Sequence, residues 1–258
     1  MKISTILRFL LIIIVGIPAM ANAQTKWMNP TDANEPYICG RAWNKEMGKS
    51  YNRLPQRFKA TVPGRVWGNS TMTAGLTVRF VTTSPNIAVK YVCTSQSYGT
   101  FNLSGMVHSG VDLYGKAADG KMHWIGNHMR WSMKGDTITI SFPKLSVPAN
   151  RSTEYTLYLP NYNGVKWLAV GVGSKSNFQF MRQSKERPVV IYGSSIIHGA
   201  SPSRPSMSIP NIVGREMGFP LINLGFSGSA YMEPAVFDML GEIDARLFVL
   251  DPIPNSNN

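Results

Sequence analysis

The segment Tyr192-Gly193-Ser194-Ser195-Ile196-Ile197-His198-Gly199 places two hydroxyls and an imidazole close together. It continues from Pro188-Val-Val-Ile-Tyr192, an unbroken apolar run of the kind that forms a buried parallel strand. A serine where such a strand passes into a helix stands at the edge where open parallel sheets bind ligands. Gly193 permits a tight turn. Backbone N–H groups at a helix start have no intrahelical partner and can hold an oxyanion. Together these are the parts of acyl transfer through a serine nucleophile. The competing reading is that Ser194 and Ser195 cap a helix. The octapeptide alone favours the cap.

Two later segments shift that balance. Asn223-Leu-Gly-Phe-Ser-Gly-Ser229 follows a short strand at 220–224, and Asp251-Pro-Ile-Pro-Asn255 follows another at 246–250. Helices are expected at 207–217, closed by Gly218, and at 234–241, with Pro234 in the first turn. Strand, helix, strand, helix, strand is the parallel α/β pattern, so all three strands deliver polar residues and glycine to one edge.

The chain before this point has a different grammar. Residues 76–82, 87–92, 136–142 and 155–159 alternate apolar and polar side chains, and 165–170 is a further candidate strand. Turn residues such as Ser84-Pro85-Asn86 and Asn161-Tyr-Asn-Gly164 separate them. The expected architecture is an all-β sandwich or jelly roll over 24–187, then an incomplete parallel α/β unit of flavodoxin type over 188–258.

Residues 188–258 resemble the front of an SGNH (GDSL-like) hydrolase. Gly193-Ser194-Ser195 matches the first block of that family, which implies Ser195 as nucleophile. Gly228 matches the second-block glycine and Asn255 the third-block asparagine, and both are implied oxyanion-hole donors. The earlier part resembles the β-rich domain that precedes a bacterial subgroup of these enzymes. Its Gly-x-Asp-Leu-Tyr motif stands as Gly110-Val111-Asp112-Leu113-Tyr114, with Arg53-Leu-Pro55 and Tyr158-Leu-Pro-Asn-Tyr-Asn-Gly164 as further matches. The resemblance implies a serine esterase acting on a small-molecule or glycan ester such as an O-acetyl group. The alternative is a non-catalytic glycan-binding or interaction module with a decayed hydrolase remnant.

One departure bears on activity. The family's Asp-x-x-His block, which supplies the base and its orienting carboxylate, does not occur after Ser195. Without a base a serine keeps its proton and is a poor nucleophile. The expectation is a chain truncated before that block, with little activity alone. His198, three residues after Ser195, is awkwardly placed to serve as base. Ser194 and His198 are instead candidate cleft contacts, with a plain helix-surface position the equal reading for His198. Asp112 is expected to bond a turn's backbone, with a sugar contact or domain interface as the other readings. The tryptophans are expected in the core.

Composition narrows the rest. Of 258 residues, 43% are hydrophobic and 16% charged, a globular balance. Two cysteines exclude a disulfide-dense scaffold, and whether Cys39 and Cys93 pair is open. His123 and His128 do not have the spacing of a helical zinc pair, and four histidines give little material for a metal site. No metal and no cofactor are expected. Lys2 and Arg8, an apolar stretch from Phe9 and Ala21-Asn22-Ala23 have the layout of a signal peptide over 1–23. That implies export to the periplasm or beyond, with no stable membrane anchor. The net charge of +12 comes from scattered Lys and Arg, so it is taken as solubilising rather than as a nucleic-acid surface.

Overall fold

The structure is a computed structural model that describes residues 25–127, 130–147 and 151–255. The expected signal peptide and His128 lie outside those residues.

Ten strands among the described residues form two antiparallel sheets. In chain order they are β1 (Thr25–Met28), β2 (Thr77–Thr82), β3 (Ile87–Cys93), β4 (Asp112–Lys116), β5 (Met122–Gly126), β6 (Arg130–Lys134), β7 (Thr137–Phe142), β8 (Thr153–Tyr158), β9 (Val165–Gly173) and β10 (Phe178–Met181). One sheet runs β1-β9-β3-β7-β6 and the other β10-β2-β8-β4-β5. The alternation in sequence is the cause. In β2 and β3 every second residue is buried, and Val78, Phe80, Ile87, Val89 and Tyr91 meet Leu157, Leu168 and Val170 in one shared core. This is the sandwich expected from the strand periodicity.

Three further strands, β11 (Val189–Gly193), β12 (Leu221–Gly225) and β13 (Leu247–Asp251), form a parallel sheet in the order β12-β11-β13. The helices, in chain order, are α1 (Gly64–Ser70), α2 (Gly105–Ser109), α3 (Ser195–His198), α4 (Ile209–Met217) and α5 (Pro234–Gly241). β11 is buried along its whole length because both its faces are covered. Val190 and Tyr192 join one cluster, and Val189 and Ile191 join another with Ile197. Pro188 and Pro220 have no N–H to give a ladder, so β11 and β12 begin one residue later than the apolar runs suggest. The carbonyl of Pro220 is still used, accepting from the Val189 N–H at 2.9 Å.

The core under β11 and β12 draws on an unexpected source. Trp43, Leu54, Phe58, Val62 and Val66 pack there with Phe226, Val236 and Met239. The segment carrying them precedes β2 in sequence and joins the parallel sheet in space.

Two expectations about side chains need correction. Asp112 does not serve a local turn. It is fully buried, and its Oδ2 accepts from the Ser206 N–H at 3.1 Å and the Ser206 hydroxyl at 2.6 Å, across the junction between the two units. The Trp124 indole N–H donates to its Oδ1 at 3.0 Å. Nor are the tryptophans uniformly core. Trp43 is buried, but Trp124 and Trp167 are exposed, Trp124 lying under the Arg204 guanidinium. Cys39 and Cys93 are both free and buried. Burial pushes the thiols up to about 11 and about 12, so both are unreactive near neutral pH. No helix among the described residues is long and apolar enough to cross a membrane.

Candidate active site

The parallel register sets the site. Gly193 lies opposite Gly225 on one side and opposite Asp251 on the other, so the three strands end level. Ser195 comes two residues beyond that line, Gly228 three and Asn255 four.

Ser195 opens α3 and is partly exposed. The short helix is fastened on several sides. The Asn223 amide donates to the Ile197 carbonyl at 2.9 Å, and its oxygen accepts the Gly225 N–H at 2.8 Å. The Phe226 N–H donates to the Gly193 carbonyl at 2.8 Å. Gly225 is required by contact, since a Cβ there would run into the backbone of Ile197 and His198. From the sandwich side, the Asn161 amide donates to the Gly199 carbonyl at 3.2 Å, and the Tyr162 hydroxyl donates to the Ser195 carbonyl at 3.4 Å.

Gly228 has φ of +64°, a left-handed conformation that glycine adopts without strain. Its carbonyl is turned to Arg65 Nη1 at 3.0 Å, and its N–H has no partner among the described residues. The Asn255 side-chain amide bonds the Ser229 carbonyl, which brings it to the same loop. Asn255 is reached through a single 3-10 turn, Ile253–Asn255, after β13.

The expected cleft contacts are not on a cleft wall. Ser194 and His198 are both fully buried. His198 Nδ1 receives the Ser227 N–H at 3.3 Å, and Nε2 faces the Asn161 carbonyl at 2.8 Å. An N–H can only donate and a carbonyl only accept, so the ring is neutral with its proton on Nε2. Burial, and then the Arg53 charge, hold its pKa well below the ordinary imidazole value. The Tyr162 ring stacks on it at 4.3 Å. His198 is therefore a structural clamp and has no free nitrogen for Ser195.

Arg53 was singled out only as part of a motif, and its position explains it. The guanidinium is buried, with no carboxylate partner among the described residues. It donates to the carbonyls of Asn69 (2.7 Å), Met72 (3.1 Å), Asn223 (3.1 Å) and Gly225 (2.8 Å) and lies over the Phe226 ring at 5.1 Å. Desolvation lowers its pKa to about 9, so it remains a cation at neutral pH. A positive charge is thus fixed beneath the strand end that leads to Gly228. Tyr162 was likewise visible only as a motif residue, because nothing in its spacing links it to a serine 33 positions later.

Residues 25–178 match the family model described as the N-terminus of SGNH hydrolase-type esterases, and residues 186–258 match the GDSL-like lipase/acylhydrolase family. The chain belongs to the SGNH hydrolase-type esterases. A crystal structure of a GDSL-like lipase from Bacteroides ovatus is similar at 33% identity and a TM-score of 0.80, over 90% of this chain and 65% of that one. The salicylyl-acyltransferase SsfX3 from a tetracycline biosynthetic pathway shares the fold, at 18% identity and a TM-score of 0.65, over 91% of this chain and 63% of that one. This chain therefore spans slightly less than two thirds of either. Among curated proteins none matches. The segments carrying Ser195, Gly228 and Asn255 leave the same edge of the parallel sheet, and no histidine among the described residues bonds the Ser195 hydroxyl.

Proposed function

We propose that this chain carries the nucleophile and oxyanion side of an exported serine esterase that removes O-acyl groups from glycans. Ser195 Oγ attacks the ester carbonyl. The N–H groups of Ser195 and Gly228 and the Asn255 amide hold the oxyanion as the tetrahedral intermediate forms. The alcohol then leaves, and water hydrolyses the acyl-serine. The level ends of β11, β12 and β13 carry this reading, because they bring three separate segments to one rim. Glycan ester as substrate rests on the family likeness and the leader-like N-terminus.

The base in this reading is a histidine supplied by chain beyond residue 258, which accords with the greater length of the similar structures. Residues 24–258 alone should hydrolyse p-nitrophenyl acetate barely above background. A protein extended through an Asp-x-x-His block should turn it over, with Ser195→Ala lowering kcat by about 10³-fold or more. Robust Ser195-dependent turnover by 24–258 overturns the assignment of the base. An extended protein whose activity ignores Ser195→Ala overturns the esterase reading.

A further inference from the structure

A cleft of 240 Å³ lies between the second antiparallel sheet and α4. Thr77, Arg79, Thr156 and Tyr158 line one wall, from paired positions on β2 and β8. Residues of α4 and the segment after it, through Leu221, line the other. Leu221 is the first residue of β12, so the cleft opens at the amino ends of the parallel strands, the end away from Ser195.

Arg215 dominates it. Its side chain is only 10% exposed, and the one carboxylate within 4.0 Å, that of Glu216, is itself 74% exposed. Nη1 donates to the Ser206 carbonyl at 3.2 Å, the Asn211 carbonyl at 3.4 Å and the Tyr158 hydroxyl at 3.4 Å, and the guanidinium lies over Tyr114 at 4.6 Å. Nη2 has no hydrogen-bond partner among the described residues. Arg79 differs, being closed on Glu154 at 2.5 Å, with Lys116 3.5 Å from the same carboxylate. Tyr158 accepts from Arg215, which leaves its own hydrogen to find an acceptor. Thr156 is 8% exposed and its hydroxyl bonds nothing among the described residues. Arg215 Nη2, the Tyr158 hydroxyl and the Thr156 hydroxyl thus line one cleft with donor hydrogens that no acceptor among the described residues takes.

We propose that this cleft binds a sugar acid, independently of the esterase reading. The carboxylate pairs with Arg215 and accepts from Tyr158, and ring hydroxyls reach Thr156 and Arg79. A guanidinium suits a carboxylate or a phosphate equally. The charge balance selects the carboxylate, because Arg215 is the one cation among the described residues lining the cleft that no buried carboxylate closes, and a single free cation matches a monoanion. The volume is below the ~300–1,000 Å³ of clefts for larger ligands, which fits one sugar unit.

Calorimetry with glucuronate, glucose and inorganic phosphate tests this on the whole chain. Glucuronate should bind at least tenfold more tightly than glucose or phosphate. Arg215→Gln and Thr77→Glu should each weaken it tenfold or more, and Ser195→Ala should leave it unchanged. Thr77→Glu sets a like charge beside the carboxylate without touching the Arg215 contacts, so it decides the matter if Arg215→Gln does not fold. Equal binding of glucuronate and glucose, tighter binding of phosphate, absence of glucuronate binding, or indifference to Thr77→Glu each overturns the proposal.

Discussion

Strands β8 and β13 are similar in length and opposite in surroundings. β8 lies between β2 and β4, and Tyr155 and Leu157 point into a core shared by two sheets. β13 pairs on one side only, with β11, and Leu247, Phe248, Val249 and Leu250 are all exposed. Its composition suits an interior strand, yet among the described residues it is an edge. Apolar pattern reports what a strand can bury, and the neighbours decide what it does bury. The sandwich is held by its own facing sheets. The parallel sheet leans on the segment carrying Trp43 to Val66 and on one buried cation.

That contrast can be broken most forcefully at Arg53. Arg53→Met strands four carbonyls, three of them in buried hydrogen bonds and two of them in β12, and should cost about 3–5 kcal/mol in urea unfolding. Hydrogen exchange should rise first in β12 and little in β2 or β8. A loss under about 1 kcal/mol, or equal loosening of both units, would show that the parallel sheet is self-sufficient.

Leucine deletions sharpen the same comparison. Leu157→Ala, in the sandwich interior, should cost about 2–5 kcal/mol. Leu250→Ala, at 44% exposure, should cost less than about 1 kcal/mol. Comparable losses would mean that β13 is covered in solution.

The smallest effect concerns pH. His198 stays neutral when folded, whereas an unfolded imidazole titrates near ~6.5. Below that value the unfolded chain takes up a proton that the folded chain refuses. Stability should therefore fall as pH drops from 7 to 5, approaching about 1.4 kcal/mol per pH unit for this residue. His108, also depressed by burial, acts in the same direction. His198→Gln should flatten the slope, and an unaltered slope would count against the buried clamp.

Much of this arrangement was legible in sequence. Alternation located β2, β3 and β7 closely, and α4 ended at Gly218 as expected. Local pattern said little about β1, β5 and β10, which are short and owe their form to the strands beside them. At the site, turn chemistry exposed the Ser195 and Asn255 segments because each follows an apolar run. It marked Asn161 and Tyr162 only as turn residues and did not show what they or Arg53 hold, because their work is done across 30 to 170 positions of sequence. His198 misled because its place one turn after Ser195 suggests a cleft-lining side chain, while its ring is spent on backbone groups from two directions.

The fastening of α3 by Asn161 and Tyr162, together with the Asp112–Ser206 seam, limits how this protein can be rebuilt. A chimera that joined residues 186 onward to a foreign β-domain would leave Gly199 without its donor and Ser206 without its acceptor. The two halves are matched parts, and any swap would have to carry the loop at 159–164 and the aspartate at 112 along with it.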